Sequence, residues 1–92
     1  NVPSRGESRA TRPVRTELDL RGQTADEALL EVDRFIDDAV MSGLGQITII
    51  HGKGTGALRN AIHAHLRTHP SVKSYRLGTF GEGENGVTIV DI

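Results

Sequence analysis

Ile47-Thr48-Ile49-Ile50-His51-Gly52-Lys53-Gly54-Thr55-Gly56-Ala57-Leu58 decides how this chain folds. The continuous run Ile47–Ile50 predicts a strand covered on both sides or nearly so. Glycines at 52, 54 and 56 break it, and a helix-patterned run opens at Ala57. A strand that passes through glycines into a helix presents bare backbone N–H groups together with the positive end of the helix dipole. That combination is a site for an anion, most often a phosphate. His51 at the strand's exit adds a titratable group, and Lys53 adds a fixed charge.

Upstream, Glu17-Leu18-Asp19-Leu20 alternates with period two and predicts a strand with Leu18 and Leu20 on one face. Glu17, Asp19 and Arg21 fall on the other, and Gly22 frees the backbone to turn. Thr24-Ala25-Asp26-Glu27 is a capping box that opens a helix. Leu29, Val32, Ile36, Ala39 and Val40 recur along that helix at 3.6-residue spacing, with Phe35 on the stripe's edge. Gly43 is its stop. The second helix buries Leu58, Ala61, Ile62 and Leu66 and ends before Pro70. Val72–Leu77 predicts a third strand, residues 78–86 a glycine-rich turn, and Val87–Ile92 a final strand. The order is therefore βαβαββ, a sheet with crossover helices and a closing hairpin.

Ninety-two residues make one domain. Residues 1–15, rich in Arg, Ser, Pro and Gly, read as a flexible basic arm, and residues 16–92 as the folded unit. A chain that opens on polar sequence without Met reads as a piece of a longer protein. It has no cysteine, which excludes disulfides, a thiol nucleophile and Cys-based zinc sites. No apolar run approaches the roughly 20 residues of a membrane span, and no signal peptide is visible. The expectation is a cytoplasmic protein that does not engage membranes.

The net charge of −1 alone argues against a nucleic-acid binder, but its distribution does not. Residues 51–77 carry five Lys or Arg and no acid, whereas residues 17–50 hold eight acids against two Arg. One basic face on a neutral domain, or two solvated helix faces of opposite sign, both fit that partition. With three aromatic residues the core is aliphatic, and an aromatic platform for stacked bases is not expected.

The two strands of a βαβ unit run parallel, so Asp19 and Arg21 at the end of the first and His51 at the end of the second share one sheet edge. Ligands of open α/β sheets bind beyond that edge. Each feature has a plainer alternative: an exposed Asp19–Arg21 ion pair, a His51 that only caps its strand, glycines that only make the turn. His63, His65 and His69 read as surface residues, because no third ligand accompanies them at metal-binding spacing. Gly52-Lys53-Gly54 lacks the spacing and the following Ser/Thr of a Walker A loop. Gly52-x-Gly54-x-x-Ala57 fits a dinucleotide fingerprint, yet no acid between Asp38 and Glu82 is present to hold a ribose.

Leu18-Asp19-Leu20-Arg21-Gly22, His51-Gly52-Lys53-Gly54-Thr55-Gly56-Ala57-Leu58 and Gly86-Val87-Thr88-Ile89-Val90 together resemble the small MutS-related (Smr) domain over roughly residues 16–92. The version here is similar to the domain that ends bacterial MutS-like anti-recombination proteins. The resemblance implies an α+β two-layer sandwich, with a four-stranded mixed sheet and two helices, like the C-terminal domain of a bacterial translation initiation factor. It implies an endonuclease that nicks DNA or cuts RNA, within a larger protein that suppresses recombination or rescues stalled ribosomes. A non-catalytic module that binds nucleic acid or the ribosome is the alternative. By matched position, Asp19, Arg21, His51 and the Gly52–Gly56 loop form the functional set.

In this reading Asp19 or His51 acts as general base, and Arg21 clamps the pentacoordinate phosphorus. Gly52, Lys53, Gly54, Thr55, Gly56, Arg59, Lys73 and Arg76 hold the nucleic acid. No cofactor is required; with only Glu17 beside Asp19, a loosely held Mg²⁺ or Mn²⁺ is the one metal option. The isolated domain is expected to be a monomer, and the full-length parent a dimer.

Overall fold

The computed structural model describes residues 15–92, so the expected arm at 1–15 lies, apart from Arg15, outside the described residues. Seven elements follow in order. They are β1 (Glu17–Asp19), α1 (Ala25–Met41), β2 (Gln46–Ile50), α2 (Ala57–Arg67), β3 (Ser74–Leu77), a 3₁₀ turn (Glu84–Gly86) and β4 (Val87–Asp91). The sheet order is β1-β2-β4-β3. β1 and β2 are parallel; β4 runs antiparallel to both β2 and β3. This is the expected α+β arrangement of two helices on a four-stranded mixed sheet.

Local chemistry sets the boundaries of α1. The Thr24 hydroxyl accepts from the Glu27 N–H, and the Glu27 carboxylate accepts from the Thr24 N–H, both at 3.3 Å. The helix ends in a Schellman turn around Gly43, whose φ is +78°. Gly43 N–H donates to Val40 O and Leu44 N–H to Ala39 O, and Leu44 packs back on the core.

Both helices cover one face of the sheet. Leu18, Leu20, Ile47, Ile49 and Val90 from the strands meet Ala28, Val32, Phe35, Ile36 and Ala39 of α1 and Ile62 and Leu66 of α2. The stripe on α1 is rotated from the expected one: Ala28 and the edge residue Phe35 are buried on one flank, while Val40 on the other is exposed. On the edge of that stripe the Arg15 guanidinium carbon lies 5.6 Å from the Phe35 ring centre. β2 is covered fully on one face only. Ile47 and Ile49 are buried under the helices, but Thr48 and Ile50 are half-buried on the open face beside Ile89 and Val87 of β4.

This topology gathers the loops. The ends of β1, β2 and β3 and the start of β4 all fall on one sheet edge, since Ile50 pairs with both Asp19 and Val87 and Leu77 pairs with Thr88. The turn after Asp19, the glycine loop after Ile50 and the 78–86 connection therefore lie together.

Candidate nucleic-acid interface

At the end of β1, Arg21 folds back onto Asp19. Its Nε donates to Oδ1 at 3.0 Å, its Nη2 to Oδ2 at 2.6 Å, and its backbone N–H to Oδ1 at 3.0 Å. These bonds, side chain first and backbone second, hold the Asp19 carboxyl down to about 2. The stem of Arg21 then passes the glycine loop: a Cβ on Gly52 would stand 3.4 Å from its Cγ.

At the end of β2 the chain is pinned from the opposite side. His51 and Gly52 both donate their backbone N–H to Gly86 O. The His51 ring is buried, with Nδ1 3.0 Å from Gly52 O and Nε2 2.8 Å from the Thr88 hydroxyl. His63 Nε2 reaches the same hydroxyl at 2.7 Å. Burial, first, and the neighbouring Arg59 charge push His51 below its ordinary value, against the Gly52 hydrogen bond. His63 is pushed down by burial and then by the charges of His51, Arg59 and Arg67.

The loop that follows is open. Among the described residues, the N–H groups of Lys53, Gly54, Thr55 and Gly56, and those of Leu58 and Arg59 in the first turn of α2, have no protein acceptor. Gly56 caps α2 in the left-handed region at φ +89° without any side-chain cap. Gly54, Thr55, Gly56 and Leu58 line a cleft of about 310 Å³ that extends to Gly22, Gln23 and Ala25 at the head of α1. Two helix N-termini thus converge on one solvent-filled space, an arrangement that favours an anion.

The expected site residues divide into those that meet here and those that do not. Asp19, Arg21, His51, the glycine loop and Arg59 share the edge. Asp19 and His51 do not share a face. Asp19 pairs with Ile50 and points with it to the open face; His51, one residue on, points to the helix face with Thr88. No hydrogen bond joins Asp19 to His51 among the described residues, and Asp19's carboxylate is taken by Arg21. Gly52 also departs from the expectation that its N–H is free, because Gly86 O accepts it. Lys53 is paired with Glu84 at 3.3 Å, and Arg76 with Glu82 at 2.8 Å, so neither is an unopposed cation. Lys73 lies at the far edge of the sheet, its N–H bonded to Asp91 O.

The three histidines read as surface residues are all engaged. His65 and His69 approach Asp33 Oδ1 at 2.6 and 3.5 Å, tying α2 to α1. His63 is half-buried, 4.8 Å from the Tyr75 ring and bonded to Thr88. Thr88 and His63 are the members that sequence reasoning missed. The available signal was weak: a single threonine at a core-facing position of an otherwise aliphatic strand. Among the described residues, no group of three or more His, Asp or Glu side chains is arranged to hold a metal ion.

A profile of the Smr domain matches residues 18–92. The chain belongs to the Smr domain family. Endonuclease MutS2 of Caldicellulosiruptor bescii is 63% identical over 75 residues, covering 82% of this chain. Endonuclease MutS2 of Clostridium novyi is 60% identical over 79 residues, covering 86%. Each match spans 10% of the relative's own length, so the chain corresponds to a tenth of those proteins. The crystal structure of the Smr domain of Thermus thermophilus MutS2 superposes with a TM-score of 0.81 at 50% identity, covering 83% of this chain and 95% of that one. YdaL, a stand-alone small MutS-related protein from Escherichia coli, superposes with a TM-score of 0.80 at 27% identity, covering 91% and 70%.

Proposed function

We propose that this Smr domain is an endonuclease domain that binds a nucleic-acid phosphate at the Lys53–Gly56 loop and cleaves a phosphodiester there. The observation that carries the reading is the row of unpartnered amides at the head of α2, facing a cleft shared with the head of α1. Amides fixed in this way cost no reorganisation when charge builds on the phosphoryl oxygens. Arg21, braced by Asp19, supplies a guanidinium beside Gly52, and Arg59 supplies a second cation. The endonuclease name of the relatives supports the same chemistry.

The roles of Asp19 and Arg21 follow from their bonding. A carboxylate held at about 2 is a weak base at neutral pH, so Asp19 serves by orienting Arg21 rather than by taking a proton. The reading uses no resident cofactor. DNA and RNA both present the required phosphate, and a parent acting in recombination or at stalled ribosomes, in the cytoplasm, fits either.

A second reading, a module that binds nucleic acid without cutting it, is favoured by one observation. Both His51 ring nitrogens and both Asp19 carboxylate oxygens are occupied, so neither residue has a free basic atom at rest. Incubating the purified chain with labelled supercoiled plasmid and with structured RNA, with and without EDTA, separates the two. Cleavage lost in Arg21→Ala supports the enzyme and, if it survives EDTA, the absence of Mg²⁺ or Mn²⁺. Binding with no cleavage in any arm supports the module.

A further inference from the structure

Thr88 has one hydroxyl proton and two imidazoles competing for it, 2.8 Å away at His51 Nε2 and 2.7 Å away at His63 Nε2. Its side chain is fully buried on the helix face. The direction of each bond follows from the chemistry at the end of the chain. Gly52 O is a carbonyl and can only accept, so His51 Nδ1 at 3.0 Å carries the proton. In the neutral ring the other nitrogen then has a lone pair, so His51 Nε2 accepts from the Thr88 hydroxyl. Thr88, having spent its proton, accepts from His63, whose Nε2 must be the protonated nitrogen. One consistent order results: His63 donates to Thr88, Thr88 to His51, and His51 to Gly52 O.

The far end of this chain is the first peptide of the glycine loop. A trans peptide is planar, with its C=O and N–H pointing in opposite directions. A Gly52 carbonyl drawn onto the His51 ring thereby turns the Lys53 N–H away from that ring, and Lys53 N–H is the first of the unpartnered amides. Gly52 itself sits at φ +84° and has no intrinsic preference that would fix this plane.

We propose that His63 is a positioning residue for the anion loop, acting through Thr88 and His51 to fix the Gly52–Lys53 peptide plane. The order of donation is what matters. If His63 presented a lone pair to Thr88, the hydroxyl would turn to it. His51 Nε2 would then carry the proton, and its Nδ1 lone pair would face Gly52 O and repel it. Each imidazole is thus locked in one tautomer through the threonine, and burial disfavours the charged form of both rings. The inference rests on the reading of the loop as a phosphate site only for its purpose; the tautomers and the peptide plane are properties of the free domain.

Nitrogen-15 spectra of the histidine rings test it in the ligand-free chain at pH 7.5. The expected result is the Nδ1–H tautomer for His51 and the Nε2–H tautomer for His63. Thr88→Val keeps the shape and removes the hydroxyl. It leaves the His51 Nε2 lone pair without a donor, so the Nε2 resonance should move toward that of an unbonded imidazole nitrogen and the Lys53 amide resonance should shift while the remaining spectrum stays folded. Thr88→Ser should restore both signals, a rescue that simple packing does not explain. His63→Ala leaves Thr88 its proton but removes the donor that polarises the hydroxyl, so the His51 Nε2 resonance should move in the same direction by a smaller amount. Titration with inorganic phosphate, read at the Lys53–Gly56 amides, should then weaken about fivefold in Thr88→Val and recover in Thr88→Ser. A wild-type His51 in the Nε2–H form, or a folded Thr88→Val with unchanged His51 and Lys53 signals, overturns the proposal. If wild type shows the expected tautomers but no phosphate response at the loop, the phosphate reading fails and the positioning chain stands.

Discussion

Asp19 and His51 end neighbouring parallel strands at the same edge, yet their side chains lie on opposite faces of the sheet. Asp19 closes on Arg21 from the open face, and His51 closes on Thr88 from the helix face. Both sides reach Gly52: a Cβ there would stand 3.4 Å from the Arg21 stem, and the His51 ring holds its carbonyl. The two groups therefore act on the loop independently.

Independence has a measurable consequence. Asp19→Asn and Arg21→Ala remove the two halves of one clamp, so each should lower the cleavage rate by about 10²-fold and the double variant scarcely more. Asp19→Asn combined with His51→Gln should instead lose activity as the product of the single losses. Rates measured under single-turnover conditions for the two double-mutant cycles decide this. An Asp19–His51 coupling as large as that of Asp19–Arg21 contradicts the geometry.

Stability should fall in mild acid. Both His51 and His63 are held below the ordinary value of 6.5, chiefly by burial. As pH falls through 6.5 the unfolded chain takes up protons that the folded chain refuses, so unfolding gains protons and stability rises with pH in this window. The contribution of the pair is complete above about 6.5 and lost progressively below it. The depressed carboxyls of Asp19 and Glu82 act lower, their share being lost only as pH falls from the ordinary carboxylate range toward about 2. Melting temperatures measured from pH 7.5 to 5 should therefore decline. His63→Gln, which keeps an N–H donor but does not titrate, should reduce that slope by about half.

How far the sequence could be read depends on the range of the interaction. The Glu17–Leu20 alternation, the Thr24–Glu27 capping box and the 47–58 strand–loop–helix are local, and each forms as its residues imply. The face assignment of Asp19 and His51 needed the β1–β2 register, Asp19 opposite Ile50, which no local pattern states. The pairing of Lys53 with Glu84 joins residues 31 apart and turns a free cation into a neutralised one. Val40 is expected in the buried stripe because periodicity gives a helix face, whereas the crossing of α1 over the sheet decides which flank of that face is covered and leaves Val40 exposed. His63 was missed for the same reason: α2's flank becomes an interior only once β4 brings Thr88 beneath it.

Gly56 and Gly54 should respond differently to the same substitution. Gly56 has φ +89°, and a Cβ there would meet Arg59 Nη2 at 2.5 Å. The guanidinium is the end of a flexible side chain and moves away cheaply, so the cost is mainly the left-handed backbone, about 1 kcal/mol. Gly54 has no positive φ and open space around it, so Gly54→Ala should leave stability unchanged within about 0.5 kcal/mol. Urea unfolding of the two variants checks the contrast. Equal losses indicate that the loop is not held in this conformation.

Salt dependence should report which cations touch nucleic acid. Arg59 stands at the head of α2 with no acidic partner among the described residues, and Lys73 stands at the opposite edge of the sheet. Each phosphate neutralised on duplex DNA contributes about 0.9 to the slope of log affinity against log salt. Arg59→Ala should weaken binding and reduce that slope by about 0.9, whereas Lys73→Ala should change neither. Lys53 is an intermediate case, since binding a phosphate requires it to leave Glu84. Glu84→Gln releases it in advance and removes a negative charge from the loop, so affinity should rise at low salt and the gain should shrink as salt screens it. Fluorescence anisotropy with a labelled duplex over a salt series measures all three. A Lys73→Ala variant that loses as much slope as Arg59→Ala places the nucleic acid across the sheet and not at the glycine loop.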